Sequence, residues 1–309
     1  MSSPLLSLCI PTNGIIEWVF PVLDSIYAQN VDNSLFEVVV TDNGDNEEFY
    51  KKIIDYQKEY ENLFYYKSSG YEFLSEPDSY KNAKGLFIKF INHRTKLKPG
   101  TLRYFIDWVE KNKDEKPFVY FSNGVLNEER VFEFGSFDEF VKKLSYWSSW
   151  STGMAFWKET FDLISEETVY NFLFPHTTIL FSQRKLAKYI VDDKILLEEI
   201  PQGKIPKGRY NLFYAFGIEY MSIICDLLRS DDIGLETFDF IKKSNKQFIT
   251  NLYCDYIILR KKCSYELLNY KMVLDVFYGH QSIKRNAEFL LLKKIINFPY
   301  KSIKKLIQK

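Results

Sequence analysis

Three short apolar runs set the frame. Leu5–Ile10 (LLSLCI), Leu35–Val40 (LFEVVV) and Leu86–Ile91 (LFIKFI) are continuous and hydrophobic, the pattern of strands buried on both faces of a parallel sheet. Each stops at a polar turn: Pro11-Thr12-Asn13-Gly14, then Thr41 to Asn46, then Asn92 to Lys98. Between the first two, Glu17–Gln29 has helical apolar spacing at Val19, Leu23, Ile26 and Tyr27, with Pro21 tolerable only near the first turn. A polar helix to about Glu61, a strand at Leu63–Tyr66 and a short helix around Ser79–Lys84 follow. A helix from Gly100 to about Lys111 and a strand at Phe118–Phe121 extend the alternation. Strands alternating with helices predict an α/β chain, doubly wound around a mostly parallel sheet. Ligands of such sheets bind beyond the carboxyl ends of the strands, where the three turns are expected to converge.

After about residue 210 long helical patterns take over: Leu212–Leu228, Leu235–Lys262 and Tyr265–Tyr278. The boundary is therefore placed between residues 1–210 and a helical region, 211–309. The last segment, from Ile283, is basic, and beyond Pro299 its residues Tyr300, Ile303, Leu306 and Ile307 share one helical face. That face, with Lys301, Lys304, Lys305 and Lys309 around it, has the pattern of a helix lying on an anionic membrane surface; a helix packed on the domain with lysines in water is the alternative. Lys+Arg and Asp+Glu both number 41, so bulk charge gives no reason to expect nucleic acid as a partner. Cys9, Cys225, Cys254 and Cys263 form no Cys-x-x-Cys pair, which points to free thiols in a reducing cytosol. The start, MSSPLLSLCIPTNG, lacks the charged and long apolar segments of a signal peptide, and no window reads as a spanning helix.

The turns, taken in order, carry a resemblance. LSLCIPTNG, DSIYAQ, FEVVVTDNGDN, the Pro-Gly-Thr-Leu after the fourth strand, WSTGMAFWKETF and KGRYNLFYAFG together resemble family 2 glycosyltransferases of the GT-A fold. The likeness is to the bacterial kind that builds surface polysaccharides such as capsule or O-antigen. It implies a Rossmann-like domain over 1–210 with a helical C-terminal extension. It also implies a nucleotide-sugar donor, with UDP the first expectation, and a saccharide acceptor that is lipid-linked, with inverting chemistry. The setting it implies is cytoplasmic, peripheral on the inner face of the membrane.

The same resemblance assigns residues. Pro11, Thr12 and Asn13 match the first nucleotide-contacting turn, and Asp42 the carboxylate that binds the base or ribose. Trp150 and Trp157 fall on the acceptor side, where aromatic faces stack on sugars. The family's Asp-x-Asp motif, whose carboxylates hold Mg²⁺ or Mn²⁺ against the diphosphate, falls on Asn92, His93 and Arg94, so both acids are missing. Three readings stay open. Asn92 and His93 hold a weakened divalent cation. Arg94, with Lys96, replaces the metal. Or the chain is an inert module that binds glycan or a partner transferase. The acceptor-deprotonating base is expected in FLFPHTTILF, where His176 is the conventional candidate.

Overall fold

The computed structural model describes residues 3–201, 205 and 208–307, with 294–307 as backbone alone. Contacts divide the chain into two compact units, Met1–Pro201 and Gln202–Lys309.

The first unit opens with β1 (Leu6–Thr12), α1 (Ile16–Tyr27), β2 (Phe36–Asp42), α2 (Glu47–Glu59) and β3 (Leu63–Lys67). Next come α3 (Ser75–Lys81), β4 (Phe87–Phe90), β5 (Thr95–Leu97), α4 (Thr101–Asn112), β6 (Phe118–Phe121) and β7 (Val131–Phe134). It closes with α5 (Phe137–Leu144), β8 (Met154–Trp157), α6 (Lys158–Asp162), α7 (His176–Leu180), β9 (Tyr189–Asp192) and β10 (Leu197–Glu199). Eight strands form one sheet in the order β3-β2-β1-β4-β8-β6-β9-β7. β3, β2, β1 and β4 are mutually parallel, and β9 is parallel to β6. β8 runs antiparallel between β4 and β6, and β7 antiparallel on β9. β5 and β10 make a separate antiparallel pair. Helices cover both faces. α1 and α4 bury Val19, Leu23, Leu102, Phe105 and Val109 against Leu8, Ile10, Phe87 and Phe121 of the sheet. On the other face Tyr80 of α3 meets Phe156 edge-on, and Phe140 of α5 packs on Phe118 and Tyr189.

Local chemistry explains most boundaries. Asn46 caps α2 by accepting from Glu48 N and Phe49 N, and Ser136 caps α5 by accepting from Glu139 N. Two expectations are corrected. β1 does not stop at Ile10, because Pro11 and Thr12 still pair with Thr41 and Asp42. α1 runs through Pro21 well past its first turn; that position loses one N–H, and burial of Val19, Val22, Leu23 and Ile26 holds the helix regardless.

The second unit is helical. α8 (Leu212–Tyr214) passes through a π turn at Ala215–Glu219 into α9 (Tyr220–Arg229). α10 (Leu235–Tyr253) also ends in a π turn, at Cys254–Ile258, and α11 (Tyr270–Phe277) and α12 (His280–Ile307) follow. Asn245 of α10, fully buried, donates to the Phe216 carbonyl at 2.8 Å and to the Tyr278 hydroxyl at 2.7 Å, tying the helices together. α12 continues through Pro299, where a break was expected. The side chains of the basic amphipathic stretch lie outside the described residues.

Candidate functional site

The carboxyl ends of β1, β2 and β4 lie side by side, so their turns share one edge. The first two are stitched by backbone: Asn43 N donates to the Thr12 carbonyl at 3.0 Å. Asn46 Nδ2 donates to the Gly14 carbonyl at 3.0 Å. Gly44 is required here, because a Cβ would stand 2.1 Å from the Asn13 carbonyl oxygen.

Asp42 ends β2 with 1% exposure. Its Oδ1 accepts from Gly44 N at 2.8 Å and its Oδ2 from the Tyr65 hydroxyl at 3.0 Å, while Lys67 Nζ stands 3.6 Å away. Burial, then the charge of Asp42, push the Tyr65 hydroxyl's pKa up, so it stays a donor. Asp42 is thus a satisfied carboxylate that braces the turn after β2. Of the first turn, Asn13 is exposed, Pro11 half-buried and Thr12 buried.

Asn92, His93 and Arg94 leave the carboxyl end of β4. Asn92 Oδ1 accepts from Arg94 N at 3.2 Å, closing a tight turn. His93 Nδ1 sits 2.9 Å from Thr12 Oγ1, and its ring meets Trp18 of α1 edge-on at 5.0 Å. Burial first, and the neighbouring Arg94 charge second, lower His93 to about 3, so the imidazole is neutral. Thr12 Oγ1 also accepts from Gly14 N at 3.1 Å, so one hydroxyl links the first turn to His93. The Arg94 guanidinium lies over the Trp18 ring at 5.9 Å and has no ion-pair partner among the described residues. Lys96 differs: it is cross-strand from Glu198, 3.9 Å from its carboxylate.

This donor set does not fit a hard divalent cation. Asn92 offers one amide oxygen already bonded, His93 one ring engaged by Thr12, and the nearest charge is positive. Among the described residues no group of three or more His, Cys, Asp or Glu side chains is arranged to hold a metal.

Two assignments change. Trp157 is 2% exposed, donates Nε1–H to the Pro117 carbonyl at 2.9 Å and packs on Phe87 and Trp108. It is a core residue, because β8 runs through the middle of the sheet. His176 is 3% exposed, and its Nε2 is 3.2 Å from the Ser148 carbonyl. Burial holds it down at about 4, the state of a packed neutral ring rather than an accessible base. Trp150 remains half-exposed ahead of β8, its ring perpendicular to Trp147 at 4.2 Å. Sequence reading passed over Lys89, which is fully buried in β4. Its Nζ donates to the carbonyls of Phe90 (3.0 Å), Thr152 (2.7 Å) and Met154 (3.2 Å), pinning the segment that follows Trp150. The signal was present as a lone charge inside an otherwise apolar strand.

No family model and no curated protein matches this chain. Solved structures do. S. aureus TarS 1-349 in complex with UDP-GlcNAc is 17% identical and superposes with a TM-score of 0.55, covering 88% of this chain and 80% of its own. Its UDP complex gives 15%, 0.54, 83% and 75%. Mannosyltransferase PcManGT from Pyrobaculum calidifontis, in complex with GDP-Man and Mn²⁺, is 13% identical with a TM-score of 0.54, covering 96% of this chain and 88% of its own. At these identities the likeness establishes the fold: an α/β sheet domain of the GT-A type with a helical C-terminal region.

Proposed function

We propose that this chain is a nucleotide-sugar-dependent glycosyltransferase whose donor diphosphate is held by Arg94 in place of a metal. The observation that carries the reading is the Arg94 guanidinium, half-buried at the carboxyl end of β4, backed by Trp18 and without a counter-ion among the described residues. A guanidinium matches two phosphate oxygens at once. A nucleoside diphosphate leaving group gains negative charge as the glycosidic bond breaks, and a fixed cation there lowers the barrier. The turn that Asp42 braces, with Asn13 exposed beside it, would face the nucleoside. UDP- and GDP-sugar complexes of similarly folded proteins support a donor of this class.

On the acceptor side the reading assigns Trp150 as the aromatic face for a saccharide. A lipid-linked acceptor of a growing surface glycan, with inverting chemistry at the cytoplasmic face of the membrane, completes the proposal. The basic run from Lys284 to Lys309 supports it at the level of sequence. No helix among the described residues is long and apolar enough to cross a membrane. The alternative is an inert module that binds glycan or a partner transferase, favoured by one observation: His176 is packed against Ser148 instead of open to an acceptor.

Hydrolysis and transfer of UDP- and GDP-sugars, run in EDTA and in Mn²⁺, test the proposal. Turnover in EDTA equal to that in Mn²⁺ is expected. Turnover that collapses in EDTA rejects the role of Arg94, and nucleotide binding without turnover selects the inert module.

A further inference from the structure

The geometry points to a second saccharide site along α3 on the flank of the sheet domain, which adjoins the Asp42–Asn43 turn at its Gly70 end and holds sugar rings of the acceptor chain beyond the reacting one. It rests on the transferase reading for the identity of that chain. α3 lies across the sheet: Gly85 N, just after it, donates to Ser7 Oγ near the start of β1, and the Ser79 carbonyl accepts from Cys9 Sγ. Its outer side, at Pro77, Asp78 and Lys81, forms one wall of a cavity of about 880 Å³. α6 and the segment 164–170 form the other wall, and Ser69 and Gly70 close one end. None of the residues assigned to the donor lines this cavity.

Its chemistry selects the ligand class. The two lysines in the walls are each matched by an acid on the same helix: Lys81 is 3.4 Å from Asp78, and Lys158 pairs with Asp162. The cavity therefore has no unbalanced positive charge to favour a phosphate, and Glu166 adds a carboxylate without an ion-pair partner among the described residues. Paired carboxylates and ammoniums, with the hydroxyls of Ser69, Ser165 and Tyr170, present donors and acceptors side by side, as ring hydroxyls require. An apolar platform sits beside them. Tyr71, next to Gly70, and Phe172, two residues beyond Tyr170, stack at 5.8 Å with an 18° interplanar angle. They do so while 67% and 43% exposed. Two large rings held together in water, in residues close in sequence to the lining Gly70 and Tyr170, are the complement of a sugar's C–H face. The volume falls in the range of pockets that take drug-sized ligands, about 300–1,000 Å³, which leaves room for more than one ring.

Saturation-transfer NMR on the full chain tests this with neutral malto-, cello-, chito- and manno-oligosaccharides of increasing length, alongside a UDP and GDP titration. Signal from at least one series is expected, strengthening with length. The Tyr71→Ala/Phe172→Ala double variant should bind about tenfold more weakly, and Asp162→Asn should also weaken it. Nucleotide affinity should not change in Asp162→Asn. Because both rings are exposed, the double variant should melt with the wild type; if it does not, Asp162→Asn decides. Nucleotide binding with no oligosaccharide signal overturns the flank site alone, as does signal indifferent to these variants. Oligosaccharide binding without nucleotide binding leaves the flank site standing and overturns the transferase reading.

Discussion

Lys89 and Arg94 are two cations on one run of chain, and the structure treats them oppositely. Lys89 lies inside β4, where three carbonyls meet the three hydrogens of its ammonium and the rings of Phe105 and Phe121 close over it. Arg94 lies just past the strand, with an indole face behind it and its forked donors unmatched by any carboxylate among the described residues. A buried cation whose donors are all satisfied is a fastener. A half-buried cation with no carboxylate partner among the described residues is what the proposed role of Arg94 requires.

Breaking the comparison at Arg94 should have the largest effect. Arg94→Ala is expected to lower donor turnover by about 10²–10³, the range for removing one fixed donor from a developing anion. It should leave the melting temperature close to wild type, since the side chain is a half-buried edge residue. Arg94→Lys should recover only part of the loss, because an ammonium cannot match two oxygens as a fork does. Equal turnover of Arg94→Ala and wild type, measured at saturating donor, would remove Arg94 from the chemistry.

The Lys89 side is sharpened by pH. Burial pulls its ammonium from the ordinary lysine value of 10.5 down to about 7. Between those values the unfolded chain binds a proton that the folded chain does not, so stability rises with pH through that window and is flat below it. The expected gain is on the order of 1 kcal/mol per pH unit once the pH is well above 7. Urea unfolding at several pH values reads it directly. Lys89→Met should abolish this slope, and an unchanged slope in that variant would assign the pH dependence elsewhere.

The smallest effect belongs to the neutral neighbour. Thr12→Val removes the hydroxyl shared by Gly14 N and His93 Nδ1. It is expected to cost about 1 kcal/mol of stability, the usual worth of one hydrogen bond. Turnover should remain insensitive to EDTA in that variant; a metal requirement appearing when His93 is released would show that Thr12 had been masking a ligand.

The contrast also marks what could be read in advance. β1 to β4 announce themselves by apolar runs, and the turns that end them by their polar residues, so the edge carrying Thr12, Asp42 and Arg94 was legible. β7, β8 and β9 span only four residues each and, unlike the equally short β4 and β6, were not read from the sequence. The place of β8 in the middle of the sheet depends on partners distant in sequence, which is why Trp157 looked like a sugar platform and proved to be core. His93 and His176 were assigned by position, and their bonds to Thr12 and Ser148 are tertiary facts no local pattern contains.

The strand order has a consequence for how the chain is made. The parallel half of the sheet, β3-β2-β1-β4, is complete by residue 90, whereas β8, which covers β4, comes only at Met154–Trp157. During synthesis β4 is therefore an open edge, FIKF, offering unpaired backbone groups to any passing strand. The single charge on that edge is Lys89. Nascent chains carrying Met there are expected to aggregate before release, although the finished protein would hide the same side chain completely.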